Sequence, residues 1–340
     1  MKAAVLKAIG EPLQVREVPL PEVGPDEVLV QTRTCGICRT DLHIQDGLAY
    51  VPSLPHVPGH EPAGVVATVG ERVATVVPGQ RVVPHLFVTC GRCRACRAGD
   101  QAQCRQPDGI IGVTRAGGFA EYFVAPARNL VPIPPGVDDG AAGLTSCAAI
   151  TAVHAYRRAP VGVGQTAVVL GAGGIGLILV QLLKRAGARV VALSRSAPSR
   201  DLAQRQGADE SLPLGDPEIV DRVLALTEGE GADCVFELVG LAHTMGVAAA
   251  CTARGGRLVV IGEEAEHPAV DTITIAQREL VLCGSRNGGL QDAADAMAWM
   301  ASGIIRPLID RRFPLDEINA ALDYVRSGAA HGRVVIEVPG

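Results

Sequence analysis

Four cysteines in the first third of the chain are spaced as the ligands of a single metal ion would be. Cys90, Cys93 and Cys96 lie three residues apart, and Cys104 follows after seven intervening residues. Four thiolates that close around one ion in a tetrahedron are typical of structural zinc. An iron–sulfur cluster also takes four cysteines, but no other signal of electron transfer accompanies them, and disulfides are disfavoured in a reducing compartment. The spacing therefore predicts structural zinc in a lobe at about residues 88–105.

A second cysteine pair, Cys35 and Cys38, is followed closely by Thr40 and His43 in the stretch TCGICRTDLH. A C-x-x-C pair can supply half of a zinc site or can act as a redox-active dithiol. A third possibility is that only one of the two sulfurs has a chemical role. The local spacing leaves these three interpretations open.

A glycine-rich stretch follows a predicted buried strand and opens a predicted helix. It consists of Gly171, Ala172, Gly173, Gly174, Ile175 and Gly176. In a G-x-G-x-x-G turn the first glycine permits the tight turn, the second lets the backbone approach a pyrophosphate, and the third lets helix and strand pack closely. The N-terminus of the helix then offers N–H groups to the phosphates. We therefore predict a dinucleotide-binding site here.

The end of the next predicted strand indicates which dinucleotide is used. An NAD site usually has Asp or Glu there to accept hydrogen bonds from the adenosine ribose. This chain instead has Leu193-Ser194-Arg195-Ser196, with Arg200 close behind. Ser194, Arg195 and Arg200 could bind a 2′-phosphate that a carboxylate would repel. The sequence favours NADP(H) over NAD(H).

Length and composition limit the remaining possibilities. A chain of 340 residues, 48% of them hydrophobic, is long enough for two domains with large cores. A net charge of −5 gives no reason to expect nucleic acid as a partner. The sequence contains neither an apolar run long enough to span a membrane nor a signal peptide, so we expect a soluble cytoplasmic protein without membrane partners.

The two parts of the chain have different patterns. Up to about residue 150, short β-branched runs such as VLVQT, GVVATVG and RVVPH alternate with Pro- and Gly-rich turns, which predicts a β-rich domain. Predicted strands and helices then alternate, from TAVVLGAGG to HTMGVAAACTARGG (helix) and RLVVIG (strand). This alternation predicts an α/β domain with a parallel sheet. Two helices, LQDAADAMAWMASG and LDEINAALDYVRSG, and a last strand, GRVVIEV, follow.

Taken together, the motifs resemble those of zinc-dependent alcohol dehydrogenases of the medium-chain dehydrogenase/reductase superfamily. The matching pieces occur in the family's order along the whole chain: GICRTDLH, GHE, the four-cysteine lobe, GGFAEY, LTSCAAITA, GAGGIG and HGRVV. The resemblance implies an α/β protein with a β-rich GroES-like catalytic domain (1–147 and 284–340) and a doubly wound, parallel-sheet Rossmann domain (148–283).

Carried over by position, the family's catalytic zinc would be bound by Cys38, His60 and Cys147. Water or a substrate oxygen would take the fourth position, as in other Cys₂His catalytic sites. Glu61 resembles a carboxylate that lies beside the metal, and Asp41 resembles the residue that orients the ligand histidine. The family needs only the second cysteine of the C-x-x-C pair, so Cys35 receives no role. With the lobe, the resemblance implies two zinc ions per chain.

The resemblance also implies roles around the metal. Thr40 and His43 match a proton relay, because an imidazole can accept a proton near neutral pH. Arg39 and Arg333 resemble pyrophosphate-binding residues, and Thr151 resembles the residue beside the nicotinamide. The substrate pocket would be walled by residues that include Leu48, Tyr50, Leu86 and Phe87.

The expected activity is hydride transfer between a small-molecule alcohol and the nicotinamide, or the reverse reduction of an aldehyde or ketone. A polyol or sugar dehydrogenase and a reductase of aromatic or unsaturated aldehydes are alternatives within the superfamily. A non-enzymatic zinc-ribbon nucleotide sensor is a distant alternative, because sensing needs neither a second zinc set nor relay residues. Family members of this length favour a homotetramer, with a dimer as the other expectation.

Overall fold

The computed structural model describes residues 1–48, 51–264, 268 and 271–338. Two compact units are present: one consists of Met1–Ile150 with Gly288–Gly340, and the other of Thr151–Asn287. The domain boundaries expected at 147/148 and 283/284 lie three and four residues before these divisions. No helix within the described residues is both long enough and apolar enough to cross a bilayer.

Strands and helices occur throughout the described residues. The strands are β1 (Lys2–Val5), β2 (Gln14–Glu17), β3 (Glu27–Ile37), β4 (Glu61–Val69), β5 (Arg81–Pro84), β6 (Tyr122–Pro126), β7 (Leu130–Pro132), β8 (Thr166–Leu170), β9 (Arg189–Ser194), β10 (Glu210–Pro213), β11 (Ala232–Glu237), β12 (Thr252–Val260), β13 (Val281–Gly284), β14 (Ile309–Pro314) and β15 (Arg333–Glu337). The α-helices are α1 (Arg39–Asp46), α2 (Arg94–Arg97), α3 (Asp139–Gly143), α4 (Ala148–Arg158), α5 (Gly174–Arg185), α6 (Ala197–Arg205), α7 (Ile219–Leu226), α8 (Ala242–Cys251), α9 (Thr272–Gln277), α10 (Leu290–Ala301) and α11 (Ile318–Arg326). Short 3₁₀ helices span Gln101–Gln103, Ala127–Asn129, Leu144–Ser146 and Leu315–Glu317.

The first unit is built around β3, the long strand that leads to the Cys38 region. In the described residues its sheet has the order β14-β15-β3-β4-β5-β7, and β6 pairs with the N-terminal half of β3. Apart from the parallel pair β14–β15, neighbouring strands are antiparallel. Val28, Val30 and Phe123 form one buried cluster with residues of β4 and β5. This sheet places the C-terminal end of β3 beside the N-terminal end of β4. The candidate metal ligands lie at these two ends.

Helix α1 begins directly after β3 and changes the direction of the chain at Cys38. Its buried residues Leu42 and Ile44 pack in one cluster with Ile318 and Leu322 of α11. The helix ends at Gly47, whose φ of +70° is readily adopted by glycine. Packing against α11 therefore fixes the helix that carries Thr40, Asp41 and His43.

The second unit contains a sheet whose six described strands are all parallel. Its order is β10-β9-β8-β11-β12-β13, so the chain starts in the middle, moves outward to one side, and then returns to fill the other. This is the strand order of a Rossmann dinucleotide-binding fold. The glycine-rich stretch follows the central strand β8, where the direction of the strand order reverses.

One predicted element differs from the structure. The stretch HTMGVAAACTARGG was expected to be helical throughout, but α8 ends at Cys251 and β12 begins at Thr252. Gly255 has a φ of +69°, which is incompatible with a continued helix. Pairing of Thr252 with Ala232 of β11 stabilises the extended conformation instead. Sheet pairing therefore overrides the local helical pattern.

Candidate metal centres and cofactor site

The four cysteines of the lobe converge in a closed group. Cys90, Cys93, Cys96 and Cys104 bring their sulfur atoms within 4.8 Å of one another. The separation is 3.5 Å for the Cys93–Cys96 sulfurs, 3.6 Å for Cys90–Cys104 and 4.0 Å for Cys90–Cys96. A tetrahedron with Zn–S bonds of about 2.3 Å has S···S edges of about 3.8 Å. The lobe therefore fits a zinc ion bound by four thiolates.

Backbone N–H groups around the lobe favour thiolates. The N–H of Cys93 donates to Cys90 Sγ at 3.4 Å, and the N–H of Cys90 donates to Cys104 Sγ at the same distance. Hydrogen bonds from the backbone of Cys96 and Arg105 lower the pKa of Cys93 to about 6. Burial raises the pKa of Cys96 to about 11, so this sulfur depends most on a bound cation to lose its proton.

A second group unites residues that are far apart in sequence. Ligand atoms of Cys38, His60, Glu61 and Cys147 lie within 4.8 Å of one another. Cys38 caps the start of α1, His60 precedes β4, and Cys147 follows the 3₁₀ helix Leu144–Ser146. This group is separate from the lobe and mixes nitrogen, sulfur and oxygen donors.

The His60 ring is oriented for metal binding. Its Nδ1 lies 3.1 Å from the Asp41 carboxylate, and the side chain is 2% exposed. Its Nε2 is buried and has no hydrogen-bond partner among the described residues. A buried ring nitrogen without a partner is costly, and a metal ion would use it. The geometry therefore fits zinc bound through His60 Nε2.

The sulfur atoms of Cys38 and Cys147 influence each other directly. The hydrogen bond between them, with the nearby Arg333 guanidinium, lowers the pKa of Cys38 well below its usual range. The same hydrogen bond, together with burial, raises the pKa of Cys147 well above its usual range. Without a cation the pair thus favours one thiolate and one thiol, whereas a bound dication would favour two thiolates.

Arg333 lies at this centre. Its Nη2 is 3.1 Å from Glu61 Oε1, and the arginine is 9% exposed while Glu61 is fully buried. Burial raises the pKa of Glu61 to about 7, although Arg333 acts in the opposite direction. The sequence led us to expect Arg333 as a pyrophosphate ligand and gave no sign of this ion pair, because 272 positions separate the two residues.

The remaining residues of the opening motif have distinct surroundings. Thr40 Oγ1 lies 3.8 Å from Cys38 Sγ, so its hydroxyl adjoins the metal ligands. His43 is half-buried and stands one turn further along α1 on the same side. Arg39 is exposed at the first helical position. Cys35 is fully buried in the core with Ile37 and Phe119, which raises the pKa of its thiol.

Two of the expected pocket residues are close to the metal ligands. Leu86 and Phe87 are each 5% exposed and form a cluster with Ala102, against which Cys147 packs. The Phe87 carbonyl accepts a hydrogen bond from Asn129 Nδ2 at 2.7 Å, which fixes this wall. Leu48 is 64% exposed just after α1, and Tyr50 lies outside the described residues.

The glycine turn has the shape that a pyrophosphate requires. Gly171 has a φ of +112°, and Gly173 caps α5 with open space where a Cβ would stand. A Cβ at Gly176 would collide with the Gly171 carbonyl oxygen, so only glycine fits there. Gly174 and Ile175 form the first turn of α5, whose N–H groups have no acceptor within the helix. This turn fits a dinucleotide pyrophosphate at the α5 N-terminus.

The turn that follows β9 is held by hydrogen bonds from an arginine side chain. Arg200 Nη1 donates to the carbonyl oxygens of Ser194 at 3.2 Å and Arg195 at 2.9 Å. Arg195 itself is exposed, and Ser196 caps α6 by accepting from the Ser199 N–H. The sequence identified Arg200 only as a possible phosphate ligand and missed its bonds to this turn. Thr151 is 5% exposed in α4.

Comparisons with known proteins identify the family of this chain. Residues 24–135 match the model of the alcohol dehydrogenase GroES-like domain, and residues 174–302 match that of the zinc-binding dehydrogenases. An alcohol dehydrogenase of Geobacillus stearothermophilus is 33% identical over 99% of this chain and 100% of its own length. The chain belongs to the zinc-dependent alcohol dehydrogenase family of the medium-chain dehydrogenase/reductase superfamily.

Other members show the range of this family. A D-arabinose 1-dehydrogenase (NADP(+)) of Saccharolobus solfataricus is 35% identical, covering 98% of this chain and 97% of that protein. The crystal structure of the alcohol dehydrogenase of Aeropyrum pernix superposes with a TM-score of 0.93 at 32% identity, covering 99% of this chain and all of that one. The chain is thus a zinc-dependent oxidoreductase of two-domain α/β architecture.

The two cysteines of the C-x-x-C pair should respond differently to substitution. If Cys38 is a metal ligand, Cys38→Ala should lower the zinc content from about two ions per chain to about one and reduce activity on the order of 10³-fold. Cys35→Ala should keep both ions and most of the activity and cost about 1 kcal/mol of stability as a small core truncation. Zinc analysis with steady-state kinetics checks both. Equal damage from the two substitutions would restore the dithiol interpretation.

Loss of zinc from the four-cysteine lobe should lower the stability of the fold without removing the residues proposed for catalysis. Cys104→Ser should remove the lobe zinc and lower the melting temperature by roughly 5–10 °C, or roughly 2–3 kcal/mol for a chain of this size. The surviving folded protein should retain the zinc bound by Cys38. Calorimetry with zinc analysis measures this, and Cys283→Ser is the control, since Cys283 lies in β13 outside both metal groups. An unchanged melting temperature after loss of the lobe zinc would contradict the prediction.

Proposed function

We propose that this protein catalyses reversible hydride transfer between small alcohols and NADP, with the corresponding aldehydes or ketones as products. The observation that carries the proposal is the group of Cys38, His60 and Cys147, in which the buried Nε2 of His60 has no hydrogen-bond partner among the residues that the structure describes. We assign the catalytic role to the unit of Met1–Ile150 and Gly288–Gly340, and cofactor binding to Thr151–Asn287.

Each residue at the metal centre has a task in the proposal. Cys38, His60 and Cys147 hold zinc, which when bound supplies Lewis-acid polarisation of the substrate oxygen. Asp41 fixes the His60 ring so that Nδ1 is hydrogen-bonded and Nε2 stays available. Glu61 and Arg333 balance charge beside the thiolates.

The proton and the substrate are handled by neighbouring side chains. The Thr40 hydroxyl, beside Cys38, is suited to take up the hydroxyl proton of an alcohol while it releases its own proton towards His43, which passes a proton on to solvent. Leu86 and Phe87 provide an apolar wall next to Cys147. An apolar wall suits a hydrocarbon substituent better than a polyol, because polyol hydroxyls would lose hydrogen bonds against it. This favours simple alcohols over the sugar and polyol alternative.

The cofactor is bound by the second unit. Gly171, Gly173 and Gly176 shape the pyrophosphate turn at α5. Arg195 and Ser194 are suited to hold the 2′-phosphate of NADP, with Arg200 holding the turn that presents them. Arg39, Arg333 and Thr151 remain proposed contacts to the pyrophosphate and nicotinamide.

The protein is proposed to assemble as a homotetramer, with a dimer as the alternative. Among the described strands, β13 is the outer one of its sheet, and its Val281 and Leu282 are 47% and 39% exposed. An edge strand with unpaired backbone groups and exposed apolar side chains is suited to pair with another copy of the chain.

Transfer of deuterium tests the reaction. An alcohol with deuterium at the carbinol carbon should give reduced cofactor that is one mass unit heavier, with turnover that Cys38→Ala abolishes. A panel of alcohols, aldehydes and ketones, each with NADP and with NAD, identifies the preferred pair by kcat/KM. Zinc-loaded protein that binds NADPH but oxidises or reduces no member of the panel would favour the nucleotide-sensor alternative.

Arg195 tests the cofactor preference. Arg195→Ala should lower kcat/KM for NADP roughly tenfold or more, because a charge-assisted bond to the 2′-phosphate is lost, while kcat/KM for NAD should change less than about twofold. Arg205→Ala is the matched control, an exposed arginine at the other end of α6. Equal use of both cofactors, unchanged by Arg195→Ala, would contradict the preference.

A further inference from the structure

A buried carboxylate, that of Glu237, stands at the end of β11. Glu237 is fully buried, and the donors that bond its carboxylate among the described residues are uncharged. Its Oε1 accepts hydrogen bonds from the N–H of Val239 at 3.0 Å, the N–H of Gly240 at 3.0 Å and the hydroxyl of Thr244 at 2.8 Å. Its Oε2 accepts from the Gly240 N–H at 3.0 Å.

These donors fix the segment that follows the strand. The Glu237 carboxylate binds the N–H groups of Val239 and Gly240. The hydroxyl of Thr244, in the first turn of α8, accepts from the next N–H, that of Leu241, at 3.1 Å. The connection Leu238–Leu241, hereafter the β11 loop, is therefore bonded at three successive amides. The N–H and O–H donors around Glu237 are complementary to a carboxylate anion. A glutamine side chain at this position would lose part of these hydrogen bonds, because its NH₂ group would face an N–H donor.

The β11 loop packs on the glycine turn on one side. The Leu238 N–H donates to the carbonyl of Leu170, the residue before the turn. A Cβ built at Gly171 would lie 3.2 Å from Leu238 Cβ and 3.3 Å from Val239 Cγ2. The loop therefore touches the backbone of the first glycine of the cofactor turn.

On its other side the β11 loop meets the end of β12. The N–H groups of Ile261 and Gly262 donate to the Glu237 carbonyl at 2.8 and 3.0 Å. A Cβ at Gly262 would collide with the Gly240 N and with Val239. The side chain and backbone of Glu237 thus hold together the carboxyl ends of three adjacent strands, β8, β11 and β12.

The strand order shows which half of a dinucleotide would lie over this loop. β9 and β10 are on one side of β8, and β11, β12 and β13 are on the other. Each side of a Rossmann sheet serves one mononucleotide. Since Ser194 ends β9 and Arg195 follows it, the adenosine half belongs on that side, and the nicotinamide half must extend over the ends of β11 and β12.

We propose that Glu237 is a positioning residue for the nicotinamide half of the cofactor, acting through the β11 loop. This inference rests on the proposed dinucleotide binding at the Gly171 turn. The carboxylate holds the loop in one conformation before the cofactor arrives, so that binding does not have to order it. A side chain that merely stabilised the fold would affect both halves of the cofactor alike.

Comparison of a whole cofactor with its adenosine half tests the proposal. Zinc-loaded Glu237→Gln should bind NADPH roughly tenfold or more weakly, while its Kd for 2′,5′-ADP should stay within about twofold of wild type. Amide hydrogen exchange at Val239 and Gly240 in the cofactor-free protein should be faster by a similar factor. Fluorescence titration, calorimetry and exchange mass spectrometry supply these values.

Substitutions of Thr244 keep the test decisive if Glu237→Gln does not fold. Thr244→Val, which removes one donor to the carboxylate, should show the same selective loss to a smaller degree, and Thr244→Ser should restore wild-type affinity. Equal weakening of NADPH and 2′,5′-ADP, or no weakening of either, would overturn the inference.

Ligand binding by the wild-type protein distinguishes failure of this inference from failure of the proposed function. If wild-type protein binds NADH and ADP instead, the NADP preference fails, and the same comparison with that ligand pair still tests Glu237. If wild-type protein binds no dinucleotide, the proposed function and this inference fail together.

Discussion

The carboxylate of Asp41 accepts hydrogen bonds from both parts of the metal centre, and the rest of the site depends on it. One oxygen accepts from the Cys38 N–H at 2.8 Å, and the other lies 3.1 Å from His60 Nδ1. The first bond satisfies an N–H that the start of α1 would leave without an acceptor. The second orients the imidazole of His60, the residue before β4. A single side chain thus connects the residue after β3 to the residue before β4.

Electrostatics explains why such a site needs a dication. Cys38, Cys147 and Glu61 bring three ionisable acids into one buried space, with Arg333 as the cation paired to Glu61. Burying like charges together is unfavourable unless a counter-charge is present. The pKa of Cys38 is lowered and that of Cys147 is raised because of this conflict, and a bound zinc ion would relieve it by favouring both thiolates.

The sequence allowed prediction of those parts of the site whose chemistry is local. The four-cysteine lobe and the G-x-G-x-x-G turn depend on spacing within one short stretch, and the parallel sheet of the second unit follows from alternation of helix and strand. Cys147, by contrast, could be joined to Cys38 only through family resemblance, because its partner is more than a hundred residues away. The Glu61–Arg333 pair left no local pattern at all, since it forms only when β4 and β15 both pair with β3. Likewise, Thr252 was placed in a helix because parallel pairing with Ala232 is a long-range contact.

Asp41 and Glu237 apply the same physical principle in the two units. Each is a buried carboxylate that accepts both backbone N–H and side-chain hydrogen bonds beside the start of a helix, α1 for Asp41 and α8 for Glu237. Such bonds compensate the loss of hydration of the charge, and those from main-chain N–H groups also restrict the backbone itself. In the first unit the restricted backbone carries a candidate metal ligand, and in the second it borders the glycine turn. Groups that must be held to within fractions of an ångström are therefore placed next to a charge that cannot move without breaking several bonds at once.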